Sequence, residues 1–476
     1  MKRIGLILLS LWVGLVFSDN PFADFAGTDS AVFNYIGMRM HDGVIPYRDV
    51  FDHKGPLIYF INWLGMFLGP SMIGVWLIEI VMLYLTLIML WKFLRDFLSE
   101  SVIPFVVIPY VAFYACCACA GNLTETYAHF FILFVLLVVF RMTSRNCEMT
   151  MCQAFVVGCC FGAIMLLRPN MLVVAIVTAV YYIDDLIRTR NTRLFMINSA
   201  ATIGGMIFVL IPFCLYFLCY DGLGDMFDCY WRFNIKYAGS SAFCWNPRLW
   251  LCIITFVLSL PICFDVRIRR LGCYNMLFIV LTSLVLIARP VFLHYYLILV
   301  PSSVLIFTWY INLMCNNAGI GRWWKKIFLG GISLIALVCL SGEIMKSNFD
   351  LKGYINRIKS DGGWLSLIEY REGHELKRLE CFRKYINPED SVCVIGNMCE
   401  IYRRLGVHTK SYFPFQSQPI SISSALCEKF KKEIRMKVDR WIITGESAVP
   451  KVLQEDIISS YILRESIDGF GLWEAK

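Results

Sequence analysis

Gly27-Thr28-Asp29-Ser30-Ala31-Val32-Phe33 and, further along the same segment, Pro46-Tyr47-Arg48-Asp49-Val50-Phe51-Asp52-His53-Lys54-Gly55-Pro56-Leu57 make a charged, aromatic-rich loop. On its N-terminal side lies an apolar run ending at Phe17. On its C-terminal side Leu57 to Leu68 is apolar but too short to span comfortably, and it is bounded by the breakers Gly55-Pro56 and Gly69-Pro70. Such a stretch fits an amphipathic helix lying at a membrane interface better than a further span. The loop therefore reads as a polar segment resting on a lipid surface, and the rest of the chain agrees.

Of 476 residues, 58% are hydrophobic and only 17% charged, against roughly 25% charged in a soluble domain. The charge is unevenly spread. Residues 1–342 hold 23 Lys and Arg against 17 Asp and Glu, whereas the shorter segment 343–476 holds 21 and 19. This divides the chain into a membrane domain, 1–342, and a small soluble domain, 343–476. A spanning helix needs about 20 apolar residues. On that basis spans are expected near 4–18, 72–94, 102–120, 127–141, 152–167, 171–187, 194–220, 248–264, 273–288, 293–314 and 326–342. The first is read as an uncleaved anchor, because Val16-Phe17-Ser18-Asp19 offers no small-x-small cleavage site.

With the N-terminus inside, 15 of the 23 basic residues of the membrane domain fall in cytoplasmic loops and 8 outside, the bias of the positive-inside rule. About eleven spans then put the C-terminal domain outside the cytoplasm. The net charge of +8 is dispersed between apolar stretches and is no nucleic-acid footprint. Most cysteines, Cys116, Cys117 and Cys160 among them, lie in apolar runs as small hydrophobes, and no zinc-type Cys/His spacing occurs. The fold class expected is mainly α: a polytopic transmembrane helical bundle with interfacial helices in its first outer loop. Strand-like Ser391–Gly396 and Trp441–Gly445, with helical stretches near 370–386 and 423–437, add a small extracytoplasmic α/β domain.

An acidic residue soon after the first span, followed by a Lys-Gly-Pro-Leu element opening an interfacial helix, resembles the GT-C superfamily of membrane glycosyltransferases. The likeness is to its protein O-mannosyltransferase-like and lipid A aminoarabinose-transferase-like branch. The resemblance implies transfer of a sugar from a polyprenyl-phosphate-linked donor to a glycan, lipid or protein acceptor, at the outer face of a membrane, here a bacterial inner membrane. It implies that Asp29 is the general base and that Lys54 lies near the donor phosphate. This chain has Asp29-Ser30 where the family pairs two acidic residues, and Lys54-Gly55-Pro56 where the family has a double proline. No cofactor is required by the pattern, and a divalent metal ion is left open.

The chemistry supports the same assignment. Direct displacement needs a base within hydrogen-bonding reach of the acceptor proton and fixed positive charge where the leaving phosphate forms; Asp29 and Lys54 supply both types in one loop. Arg48, Asp49 and Asp52 are candidate supports for that pair. Glu125 lies between two apolar runs, where an ionisable group is costly and usually functional or paired. The family often has an acidic residue in this second outer loop, so the resemblance implies Glu125 as a catalytic partner to Asp29. Arg168 and Arg289 suit phosphate, with His294 and Tyr295 beside them, and Trp231, Arg232, Asn234 and Tyr237 are candidate acceptor or sugar contacts. Two other functions remain open on sequence: an O-antigen-type polymerase or ligase, and a lipid-linked sugar transporter or flippase. The first gives the Asp29 and Lys54 motifs no reason to exist; the second is disfavoured by charges gathered at one face and by the lack of an internal repeat.

Overall fold

The structure, a computed structural model, describes residues 2–17, 20, 28–68, 72–118, 121–239, 247–287, 292–316, 321–346, 378–445, 451–467 and 469–476. Each of the eleven expected apolar stretches is helical. Seven helical segments are long and apolar enough to cross a membrane: Ile73–Leu94, Thr124–Arg145, Pro169–Thr189, Thr192–Cys219, Arg269–Ile287, Leu293–Asn316 and Trp323–Gly342. Arg3–Gly14, Pro104–Ala118, Met151–Leu167 and Trp250–Phe264 are apolar but shorter. The molecule is thus a mostly helical, multi-pass integral membrane protein carrying a small sheet.

In chain order the helices are α1 (Lys2–Gly14), α2 (Thr28–His41), α3 (Pro56–Leu68), α4 (Ile73–Leu94), α5 (Pro104–Ala118), α6 (Thr124–Arg145), α7 (Met151–Leu167), α8 (Val173–Thr189) and α9 (Thr192–Cys219). Their ends follow local chemistry. Thr150 and Gln153 close a capping box that starts α7, and Asn146, at φ 49°, ends α6 in the left-handed conformation. The segment between α1 and α4 holds two helices. Besides α3, which buries Ile58, Tyr59 and Asn62 while exposing Leu64 and Phe67, the segment opening at Thr28 forms α2. Its residues Ser30 to Gly37 are buried, so it is a packed element and no solvated loop.

Within the bundle α7 crosses α9 at close range. A Cβ at Gly158 would sit 1.9 Å from the Thr202 carbonyl oxygen, and one at Gly205 would sit 2.0 Å from that of Phe155. Small residues permit such an approach, which lipid tails alone do not drive.

The C-terminal domain contains a four-stranded sheet of order β1-β2-β4-β3: β1 (Val392–Ile395), β2 (Trp441–Thr444), β3 (Tyr461–Ile467) and β4 (Phe470–Ala475). β1 and β2 are parallel and wholly buried; the remaining pairings are antiparallel. Helix Ser424–Arg435 lays Cys427, Phe430 and Ile434 onto the domain core. Of the helix expected near 370–386, residues 370–377 lie outside the described residues and Arg378–Lys384 is a 3₁₀ segment. This domain is bonded to the segment between α1 and α3. The Phe51 amide donates to the Tyr412 carbonyl (2.7 Å), and the Tyr412 hydroxyl donates to the Tyr47 carbonyl (2.7 Å). The Thr409 amide donates to the Tyr35 hydroxyl (3.1 Å), and Tyr35 packs on Tyr402 with ring centroids 4.5 Å apart.

The α7/α9 contact is testable. Gly158→Leu is expected to destabilise the detergent-solubilised protein by about 3 kcal/mol, the range of overpacking, read as a lowered melting temperature. Gly204→Leu, at a site where an added Cβ meets nothing within 4 Å, is expected to leave it unchanged.

Candidate functional site

Gly55 places the central lysine. Its amide donates to the Leu167 carbonyl (3.3 Å), and a Cβ there would lie 2.1 Å from the Leu166 carbonyl oxygen. Only glycine allows the segment before α3 to lie this close to the end of α7. Lys54 is thereby brought beside Arg168, the next residue after that helix. Asp29, in the first turn of α2, faces Lys54 with its carboxylate 3.9 Å from the ammonium. Burial disfavours the charge on Lys54, but the Asp29 and Asp52 carboxylates outweigh it and hold the amine above its ordinary pKa, so it is an ammonium at neutral pH.

Ser30, the residue in place of a second acid, serves a different purpose. Its hydroxyl accepts from Asn122 Nδ2 (2.9 Å), and Asn122 and Asn62 exchange amide hydrogen bonds of 2.9 and 3.0 Å. The Asn122 amide in turn donates to Glu79 (2.5 Å). This buried polar knot fixes α2, α3, α4 and the start of α6 together at Asp29's own turn. It also gives Glu79 a structural partner, and it leaves the Asn122-Leu123-Thr124 sequon wholly buried in the folded chain.

Behind the lysine lie Asp52 and His53, both buried. The His53 amide donates to Asp52 Oδ1 (2.6 Å), and the His53 ring is 3.3 Å from the same oxygen. Burial and then the nearby Lys54 charge push the His53 pKa down, so the ring is neutral. Burial works against ionising Asp52, but hydrogen bonding from His53 and the Lys54 charge prevail and its pKa is lowered. Asp52 thus backs the lysine with a fixed negative charge.

Glu125 opens α6 and forms a buried ion pair with Arg168; the Thr124 hydroxyl donates to the same carboxylate (2.8 Å). Arg168 lies flat over Tyr295, its guanidinium carbon 4.2 Å from the ring centroid. Tyr295 and His294 belong to the 3₁₀ segment Leu293–Ile298. Opposite them a π-helical stretch, Phe227–Arg232, runs directly into helix Phe233–Gly239. The Asn234 amide donates to the His53 carbonyl (2.5 Å) and the Tyr230 carbonyl (2.7 Å), tying this wall to the lysine loop.

These groups share one cavity of about 560 Å³. Asp29, Lys54, Arg168, His294, Tyr295, Trp231, Asn234 and Tyr237 all line it. Glu125 stands behind Arg168 and does not reach the cavity surface. Asp52 borders a small recess adjoining it. Arg48 and Asp49 pair with each other (2.8 Å) away from the cavity; Arg48 donates to the Tyr220 carbonyl (2.8 Å) and Asp49 accepts from the Ile45 amide (2.8 Å). Arg232 points outward and pairs with Asp228 (2.7 Å), both exposed. Arg289 lies outside the described residues. Among the described residues no three His, Cys, Asp or Glu side chains gather as metal ligands.

Lining residues not named as candidates include His53, Asn170 and, from the C-terminal domain, Asn397 and Gln418. His53 was detectable as the neighbour of Lys54. The Asn170 side-chain oxygen is buried without a hydrogen-bond partner among the described residues.

The fold is that of a polytopic membrane protein and is similar to solved ArnT structures. ArnT from Cupriavidus metallidurans, solved bound to undecaprenyl phosphate, superposes with a TM-score of 0.60 at 12% identity, over 99% of this chain and 97% of that one. Its apo state gives a TM-score of 0.57 at 12% identity, over 99% and 98%. The apo oligosaccharyltransferase of Archaeoglobus fulgidus scores 0.48 at 10% identity, over 93% of this chain and 69% of that one. The chain belongs to the competence-induced protein Ccs4 N-terminal domain family, which matches residues 1–312. No curated protein matches it in sequence.

Breaking a buried ion pair strands a charge. Glu125→Gln or Arg168→Gln is expected to cost about 3–5 kcal/mol, and Glu125→Gln with Arg168→Gln together less than the sum of the two. Thermal melts of the purified variants in detergent check this.

Proposed function

We propose that the protein transfers a sugar from a polyprenyl-phosphate-linked donor to an acceptor hydroxyl at the extracytoplasmic face of a membrane. The observation that carries this reading is the single cavity in which a half-exposed carboxylate, Asp29, faces Lys54 and Arg168. The fold shared with ArnT, a protein solved with undecaprenyl phosphate bound, supports it.

In the step envisaged, Asp29 accepts the proton of the acceptor hydroxyl as that oxygen bonds to the anomeric carbon. The bond from that carbon to the phosphate oxygen breaks, and polyprenyl phosphate departs with the bonding pair. A single displacement inverts the anomeric centre. Lys54 and Arg168 offer fixed positive charge to the departing phosphate, and His294 lies on the same wall. Donors already in place need no reorganisation as charge develops. Arg289, a few residues before His294, is assigned to the same phosphate. The buried Asp52 keeps Lys54 protonated, and Glu125 keeps Arg168 in place against Tyr295. At this cavity the one carboxylate is already engaged by an ammonium, which offers a divalent ion no built site, and no step is drawn through one. The bundle is oriented N-in, with the C-terminal domain on the donor side, in a bacterial inner membrane.

The test joins genetics and enzymology. Deleting the gene is expected to make one lipid-linked sugar accumulate, identified by mass spectrometry, with loss of one surface glycan signal. With that donor, Asp29→Asn is expected to slow sugar release by at least ~10²-fold and Lys54→Ala by ~10²–10³-fold. Normal release by well-folded variants overturns the assignment.

A further inference from the structure

The cavity has two chemically different ends. Arg168, His294 and Tyr295 form one. At the other, two half-buried amides from the C-terminal domain, Asn397 and Gln418, reach in beside Asp29. The small recess that adjoins the cavity is walled by Asp29, Lys54, Asn397 and Gln418, and neither Arg168 nor His294 borders it.

The amide wall is built. Asn397 follows Gly396, which takes φ +115° just beyond the carboxyl end of β1; ligands of α/β sheets commonly sit outside that end of the strands. Gln416, itself buried, clamps the two loops: its Oε1 accepts from the Gly396 amide (2.8 Å) and its Nε2 donates to the Val394 and Phe413 carbonyls (both 3.1 Å). The Ser417 hydroxyl donates to Asn397 Oδ1 (2.6 Å). That bond fixes the orientation of the Asn397 side chain and leaves its Nδ2 without a protein partner among the described residues. The Gln418 side chain likewise makes no protein hydrogen bond there. The domain is anchored where it stands by the Phe51, Tyr47 and Tyr35 hydrogen bonds described above.

We infer that Asn397 and Gln418 bind the acceptor and that the acceptor presents carbohydrate hydroxyls. This rests on the transferase reading, in which the acceptor oxygen must lie against Asp29. Amides offer both donors and acceptors, as adjacent sugar hydroxyls require. Trp231 and Tyr237 on the facing wall supply apolar ring surface for a pyranose. A phosphate is drawn chiefly to the Lys54 and Arg168 cations, to which the uncharged amides add no charge. The C-terminal domain is then the specificity element of the enzyme, and the membrane domain holds the donor.

The experiment uses the full chain in detergent with two probes. Methyl glycosides of glucose, galactose and mannose report the amide end by saturation-transfer NMR; undecaprenyl phosphate reports the cationic end. At least one glycoside is expected to bind wild type, and Asn397→Ala with Gln418→Ala is expected to weaken it at least fivefold. Undecaprenyl phosphate affinity and the melting temperature should stay unchanged. Lys54→Ala should give the reverse pattern. No glycoside binding to wild type, glycoside binding indifferent to the amide variants, or displacement only by a serine- and threonine-containing peptide overturns the inference. Failure of undecaprenyl phosphate to bind wild type would instead strike the donor reading, so the two failures are told apart.

Discussion

The Glu125–Arg168 ion pair is the interaction on which the arrangement of the site depends. Neither charge is tolerable alone at the end of an apolar bundle: burying an unpaired ion costs several kcal/mol. Paired, they join the start of α6 to the turn after α7. Tyr295 then covers the guanidinium at 4.2 Å, which adds the 3₁₀ segment Leu293–Ile298 to the same assembly. Gly55, seated against the Leu166 and Leu167 carbonyls, hangs the lysine loop on the same turn. One electrostatic requirement therefore gathers four remote stretches of chain at one point and leaves two cations facing a common space.

What the sequence made legible follows from how costly a residue is in its setting. Apolar stretches near 20 residues have few alternatives to helix in lipid, so the eleven stretches could be read directly. Asp29, Lys54, Glu125, Arg168 and His294 stood out because charged or titratable groups between apolar runs must have partners or work to do. Arg48, Asp49 and Arg232 satisfied the same criterion and line no cavity, since they neutralise one another or a neighbour at the surface. Residue type and loop membership say nothing about rotation: Trp231 faces the cavity and Arg232, one position on, faces away. The π-helical turn that sets this phase carries no sequence signal of its own.

Asn397 and Gln418 were hidden for the opposite reason. In a domain of ordinary soluble composition an amide costs nothing at the surface, and no pattern singles it out. Their position depends on Gln416 and on docking to the Tyr47–Phe51 loop, contacts between residues more than 350 positions apart. β3 and β4 were missed similarly. Tyr461–Ile467 alternates weakly and carries Arg464 and Glu465 on an edge strand, where charge protects against further pairing and blurs the strand pattern.

Ser30 shows how a departure from a family pattern can be structural. A second carboxylate at this position would have to replace a hydroxyl that accepts from Asn122 inside a wholly buried knot. It would then stand near Glu79, whose carboxylate already accepts the Asn122 amide. Two acids around one asparagine, in a region with no water to solvate them, would raise the cost of ionising either. With serine there, the negative charge of α2 is concentrated on Asp29, 41% exposed and facing Lys54. A base must reach the acceptor proton, and the half-exposed Asp29 carboxylate lines the cavity. Glu125, sealed against Arg168 with 2% of its side chain exposed, has no route to an acceptor proton. Its charge is spent on holding the arginine, so in the proposed reaction the two acids divide into a base, Asp29, and a positioning residue.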